Sequence, residues 1–253
     1  MSSLGIATIV FACVFGGAML SLLLRASLPA HHLSTETKDL IKLGTGLIGT
    51  LAALVLGLLV SSAKSSFDRI NDELMQQAAK FVLLDRTLAQ YGPETKDLRD
   101  LIKRNAVASV NLLFSNDKAQ LAKLDSPEAL ARSENLGARI RELSPRNDSQ
   151  HGLQERALAI ADELSATRWL MLVQKESPLS MPFLIVLVFW LAIIFASFGL
   201  FAPPNATVIS VLFVCALSVS GAILLILELN SPFLGLIRIP SAPVYNALAH
   251  LGQ

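Results

Sequence analysis

The sequence predicts an all-α integral membrane protein with four transmembrane helices and a cytoplasmic helical insert between helices 2 and 3. Three observations predict it. Four apolar runs of about 20 residues carry no charge, and roughly 20 helical residues rising ~1.5 Å each cross a hydrocarbon core ~30 Å thick. The chain of 253 residues is 53% apolar and 16% charged, with a mean hydropathy of +0.54, whereas soluble domains carry about 25% charge. Finally, there are 21 basic and 20 acidic side chains, and 34 of them, 17 of each sign, fall between Lys64 and Glu176. The wet part of the chain is therefore one central block.

The first span is Leu4 to Leu24, ended by Arg25. A cleaved signal peptide is the competing reading. Met1-Ser2-Ser3 lacks a basic n-region, however, and the apolar run is longer than an h-region, which favours a retained anchor. The second span, Leu43 to Ala63, lies between Lys42 and Lys64. Spans three and four, Met181 to Ala202 and Thr207 to Leu227, are separated by Pro203-Pro204, with Asn205 suited to cap the fourth. In lipid each span must satisfy its own backbone groups, so all four are helices. The organisation follows: residues 1–63 form a first hairpin, 64–177 a cytoplasmic helical domain, and 178–253 a second hairpin with an interfacial C-terminal tail.

Within the insert, Phe67, Ile70, Leu74, Gln77, Phe81, Leu84, Leu88 and Tyr91 alternate spacings of three and four. That a/d seam predicts that the second span runs on as one long helix until Gly92-Pro93. A second insert helix is expected near Glu94–Phe114, and a third from Ser126, with Pro127 at its first position and Leu130, Leu136, Ile140 and Leu143 inside. A polar break over Pro145–Gly152 precedes a fourth, about Leu153–Gln174. Flanking Lys64, Arg69, Lys80, Arg168, Lys175 and Arg238 outnumber Arg25, Lys38 and Lys42 on the other side. The positive-inside bias thus puts the N-terminus, insert and C-terminus in the cytoplasm.

Function classes fall away by what their chemistry needs. A net charge of +1 excludes a strong nucleic-acid footprint. HExxH, GxSxG and P-loop patterns are absent, so no catalytic residue, cofactor or metal is assigned and an enzyme is not expected. His31-His32 points two ways and lacks a third ligand. No charged residue lies centrally in any span, which argues against proton pumps, ion-coupled carriers and voltage sensors. A passive pathway stays open, because apolar constrictions and backbone dipoles suffice for one.

The second span carries the most distinctive pattern. Thr45, Gly49, Ala53, Gly57 and Ser61 recur every four residues, a helix-packing face of small residues. Opposite stand Leu47, Leu51, Leu54 and Leu58. Two readings compete: the small face packs on a neighbouring span and the leucines meet lipid, or several subunits place the leucines around a common axis as a dewetting neck. After the fourth span, Glu228, Pro232, Phe233, Gly235 and Arg238 form an interfacial motif, either as an anchor or with Glu228 and Arg238 paired across the turn or lining a vestibule. Arg168-Trp169, just before the third span, suits the interfacial belt.

Four segments in this order carry a resemblance: Gly57-Leu-Leu-Val-Ser-Ser-Ala-Lys-Ser-Ser-Phe67, Leu84-Asp-Arg-Thr-Leu-Ala-Gln-Tyr-Gly-Pro93, Thr167-Arg-Trp169 and Ser231-Pro-Phe-Leu-Gly235. Together they resemble the bacterial bestrophin-like domain family over essentially the whole chain. The resemblance implies kinship with bestrophin ion channels, in which five four-span subunits surround a pore with an apolar neck on the second span. By position that neck lands on Leu51, Leu54 and Leu58. Here the second span has no aromatic residue and the tail after Arg238 no acid, so the acidic calcium clasp of animal bestrophins has no counterpart and calcium gating is not expected. The leading expectation is a homo-oligomer, a pentamer by analogy, in the bacterial inner membrane. It contacts membrane lipid, passes small ions and binds no nucleic acid. The other reading is a non-transporting, membrane-anchored interaction protein whose helical domain binds a protein partner.

Overall fold

A computed structural model of the chain describes residues 2–25, 35–115, 117–126, 135–174 and 181–252. Every regular element among them is helical: α1 (Ser3–Leu24), α2 (Thr35–Tyr91), α3 (Lys96–Leu113), α4 (Lys118–Ala122), α5 (135–141), α6 (Asp148–Gln174), α7 (Met181–Phe201), α8 (Ala206–Leu229) and α9 (Ala242–Ala249). The chain divides into two compact units, Met1–Phe67 with Pro178–Ser231, and Asp68–Ser177 with Pro232–Gln253. Among the described residues four helices are long and apolar enough to cross a membrane: α1, α2, α7 and α8.

In the first unit, α1 is the central helix. The Ser2 side chain caps it by accepting from the Gly5 N–H at 3.1 Å. Its Val10, Val14 and Ala18 form a buried cluster with Leu187, Leu191 and Phe195 of α7 and with Leu212, Ala216 and Ile223 of α8. Because lipid tails are as apolar as leucine, close backbone approach rather than exclusion of water holds such helices together. Gly199 of α7 is where this approach is tightest: a Cβ there would overlap the Ala18 carbonyl and the Ser21 hydroxyl. Asn205 caps α8, its Oδ1 accepting from the Val208 N–H at 2.9 Å, as its position after Pro203-Pro204 predicts.

α2 is one continuous helix of 57 residues, so the second span does run on into the insert as its seam predicts. It ends because Gly92 takes φ 149°, where a side chain would run into the Glu94 carboxylate. A 3-10 turn, Pro93–Thr95, leads into α3. The buried Thr95 hydroxyl fixes this corner by donating to the carbonyls of Leu88 (2.6 Å) and Gly92 (2.8 Å).

The core of the second unit joins Leu84 and Leu88 of α2, Leu98 and Ile102 of α3, Ile140 of α5, and Ala157, Ile160 and Leu164 of α6. The expected third insert helix lies partly outside the described residues (127–134), and its described part is α5. The fourth begins earlier than expected, at Asp148. Asn147 Oδ1 accepts from the Gln150 N–H at 2.9 Å, so the polar residues read as a break are the helix's cap and first turns. Gln154, buried on α6, then donates to the carbonyls of Ile140 (2.8 Å) and Leu143 (2.9 Å), closing the end of α5. The tail holds a helix that its sequence did not suggest. α9 packs in this unit with Val244, Leu248 and Leu251 buried, and Tyr245 Oη donates to Asn111 Oδ1 of α3 at 2.8 Å.

Candidate functional site

α2 is unlike the other spans. In the most apolar window of α1, α7 and α8, 28% of residues are buried, but only 6% in that of α2. The residues it turns to its own bundle are Ala52, with Ile48, Val55, Leu56 and Leu59 partly buried around it, and Ala63 with Val60 against Ile226 and Leu229 of α8. Leu47, Leu51, Leu54 and Leu58 all point away, at 64%, 42%, 65% and 70% exposure. Among the described residues they form an open apolar stripe.

The small-residue ladder does not keep to one side of this arrangement. Thr45 and Gly49 are half-buried, and the nearest atom to a Cβ on Gly49 would be Ile194 Cδ1 of α7 at 4.0 Å. Ala53, Gly57 and Ser61 are exposed, and a Cβ on Gly57 would meet nothing within 4 Å. The reason is geometric. At 3.6 residues per turn each step of four overshoots by about 40°, so five such residues spiral across the helix instead of lining a face. Ala53, Gly57 and Ser61 thereby join the leucines on the open side.

The interfacial motif divides between the two units. Glu228 is buried in the last turn of α8. Pro232 is buried and Phe233 half-buried, its ring edge-on to Phe114, the residue that follows α3, at 6.0 Å between centroids. Gly235 accepts at its carbonyl from the exposed Arg238, whose Nε donates at 2.6 Å. The Ile239 N–H closes the loop on the Pro232 carbonyl at 3.1 Å. Arg168 and Trp169 belong to α6 by backbone, and their side chains lie outside the described residues, as does the whole of His31-His32. Among the described residues no three His, Cys, Asp or Glu side chains are grouped so as to hold a metal ion.

Sequence spacing missed a buried polar centre in the second unit. Asp85 of α2, 1% exposed, accepts both prongs of Arg99 of α3, from Nε at 2.8 Å and Nη2 at 2.9 Å. Beside it, Lys103 Nζ donates to the Leu251 carbonyl at 2.8 Å. Burial pushes the Asp85 carboxyl up, but the Arg99 hydrogen bonds, the Gly252 N–H and the charges of Arg99 and Arg86 outweigh it and hold the group below its ordinary value. In return, the hydrogen bond to Asp85 raises Arg99. Tyr91, at the end of α2, keeps its phenol buried with no hydrogen-bond partner among the described residues. Burial and the neighbouring Glu94 charge raise its pKa against the opposing effect of Arg146.

This architecture has known relatives. The chain aligns over 97% of its length, and 99% of theirs, with a variant of a bacterial bestrophin homologue from Klebsiella pneumoniae, at 16% identity and a TM-score of 0.61. A second variant of that homologue aligns over 96% of both chains at 16% identity and a TM-score of 0.58. At such identity the likeness is one of fold. No protein of curated function matches. The sequence itself matches the Bestrophin-like domain from residue 12 to residue 244, and with nearly the entire chain inside that match, the protein belongs to the bestrophin-like family.

Proposed function

We propose that copies of this chain assemble in the bacterial inner membrane as a channel that passes small ions passively, with Leu47, Leu51, Leu54 and Leu58 forming an apolar neck. The bare leucine stripe of α2 carries this reading: four exposed leucines share one side of a helix whose other side packs on its own bundle. Turned to a common axis, such a stripe is a constriction that holds back water and ions until it widens. The spans supply no central acid or base for coupled transport, so the flux is downhill.

The family membership and the fold likeness support the same reading, and by that analogy the assembly is a pentamer. Residues 64–177, with the two termini, face the cytoplasm on the charge bias. Thr45, Gly49, Ala53, Gly57 and Ser61 are the proposed packing residues between helices, and Arg168, Trp169, Glu228, Pro232, Phe233, Gly235 and Arg238 the proposed interfacial residues.

The reading of a non-transporting anchor with a partner-binding insert has less support, because the seam residues best suited to a partner, Leu84 and Leu88, are already fully buried in their own unit. Ion flux into liposomes bearing the purified protein, together with the mass of the detergent-solubilised particle, tests the proposal. Flux from a multi-subunit particle is expected. A monomer, or an assembly that leaves liposomes tight to every small ion, overturns it.

A further inference from the structure

Three spans of the first unit leave a cleft between them at one membrane end. Leu24 and Ser21 of α1, Ile41 and Thr45 of α2, and Ala196 and Leu200 of α7 are among its walls, and its volume is about 440 Å³. Three wall residues carry hydroxyls, Ser21, Thr45 and Ser197 of α7, and two of these hydroxyls are spent on their own helices. Ser21 Oγ donates to the Ala18 carbonyl at 2.9 Å and Thr45 Oγ1 to the Ile41 carbonyl at 2.7 Å, each back onto its own helix. Water placed there finds too few partners to stay, so the cleft is built for hydrocarbon. A cleft of this size walled by three helices takes a slender apolar chain rather than a whole lipid.

An acyl chain gains little by leaving its neighbours for an equally apolar cleft. Selectivity has to come from the headgroup end, and there the sequence places a cation. Arg25 directly follows Leu24, and its guanidinium donates to the carbonyl of Ala202, two residues beyond Leu200. That tie parks the charge where α1 and α7 end, with further N–H donors to offer. Lys42, next to Ile41, contributes less, because Asp39 stands 3.5 Å away and both side chains are mostly exposed.

The geometry points to a specific lipid site: one acyl chain of an anionic phospholipid lies between α1, α2 and α7, and its phosphate sits on Arg25. A guanidinium suits a phosphate because its planar fork matches the oxygens. The site belongs to each subunit and is independent of whether ions pass through an assembly.

Native mass spectrometry of the full chain in mild detergent tests this, with dioleoyl phosphatidylglycerol and dioleoyl phosphatidylcholine as probes and inorganic phosphate as competitor. The expected result is one saturable phosphatidylglycerol per chain, bound about fivefold tighter than phosphatidylcholine. Inorganic phosphate at equal concentration should not displace it, which separates a lipid headgroup from a free anion. Ala196→Phe fills the cleft and should abolish saturable binding of both lipids. Ser197→Leu, a smaller intrusion at the same wall, serves if the first variant fails to insert. Arg25→Gln should reduce phosphatidylglycerol to the phosphatidylcholine level, whereas Arg25→Lys should keep part of the preference. Equal, unsaturable binding of the two lipids overturns the site. So does retention of the preference by Arg25→Gln, or a cleft-filling variant that changes subunit number while lipid binding stays as it was, which would make the occupant a second copy.

Discussion

Asp85 and Gly252 stand 167 residues apart in sequence, yet the Gly252 N–H donates to Asp85 Oδ2 at 3.0 Å. The same carboxylate is held by Arg99, so one buried side chain ties α2 to α3 and to the segment that follows α9. Lys103 adds a second tie at the neighbouring carbonyl, that of Leu251. This knot fixes how the second unit closes.

Removing one partner of a buried ion pair strands the other, at a cost of about 3–5 kcal/mol. Asp85→Ala is expected to destabilise the second unit by about 3 kcal/mol, read as a lower midpoint of thermal unfolding in detergent. Arg99→Met should cost more, because it strands the Asp85 carboxylate at 1% exposure, whereas Asp85→Ala strands Arg99 at 17%. Both variants should speed tryptic cleavage after Arg238, since Ile239 is buried in the intact tail. Unchanged cleavage in Asp85→Ala would show that the tail is held by its apolar residues alone.

The same knot gives a pH dependence with a defined sign. Asp85 has a folded pKa below its ordinary 3.8, so its stabilisation is complete above that value and is lost as pH falls through the lower folded one. Between pH 7 and pH 5 the stability difference between the parent protein and Asp85→Asn should therefore stay constant. Below about pH 3.8 it should shrink as the parent carboxylate takes up its proton. A difference that already narrows near pH 6 would mean that another group controls the tail.

In the first unit, the crossing of α1 and α7 depends on the missing side chain of Gly199. Gly199→Ala puts a methyl into the Ala18 carbonyl and Ser21, and overpacking of this kind costs about 1–3 kcal/mol. Gly16→Ala on α1 is the matched control, because its added carbon meets nothing within 4 Å. Gly199→Ala should lower the thermal midpoint and Gly16→Ala should leave it or raise it slightly, since alanine favours helix. Equal effects would mean that the two helices pack less closely than this crossing requires.

How much of this was legible in the sequence depends on which force wrote each element. Lipid demands long uncharged runs and self-satisfied backbones, so α1, α7 and α8 are readable to within a residue or two from apolar length and from breakers such as Arg25 and Pro203-Pro204. Heptad spacing revealed the continuation of α2 because Leu84 and Leu88 are buried at that period. α9 was not legible, for it is only eight residues long and is held by tertiary burial of Val244 and Leu248 rather than by its own periodicity. The Asp85–Arg99 pair was hidden for a similar reason: a spacing of 14 across a glycine-proline corner carries no helical signal. The ladder from Thr45 to Ser61 looked like a face only because an i, i+4 repeat drifts slowly enough to pass for a straight line.

That drift sharpens what the leucine stripe should do. Leu47, Leu51, Leu54 and Leu58 stay within one arc because their spacings of four, three and four average close to 3.6, so in an assembly they face a single direction. If that direction is the pore axis, Leu54→Ala should widen the neck and raise liposome ion flux several-fold, and Leu54→Ser, which also supplies a hydroxyl to water, should raise it further. Leu58→Ala should act in the same sense. Leu217→Ala is the control: it removes the same atoms from an exposed leucine of α8 and should leave flux unchanged. Because lipid-facing leucines tolerate such truncation, equal flux in Leu54→Ala and Leu217→Ala would put the stripe against lipid and move any conduction path to another face of the subunit.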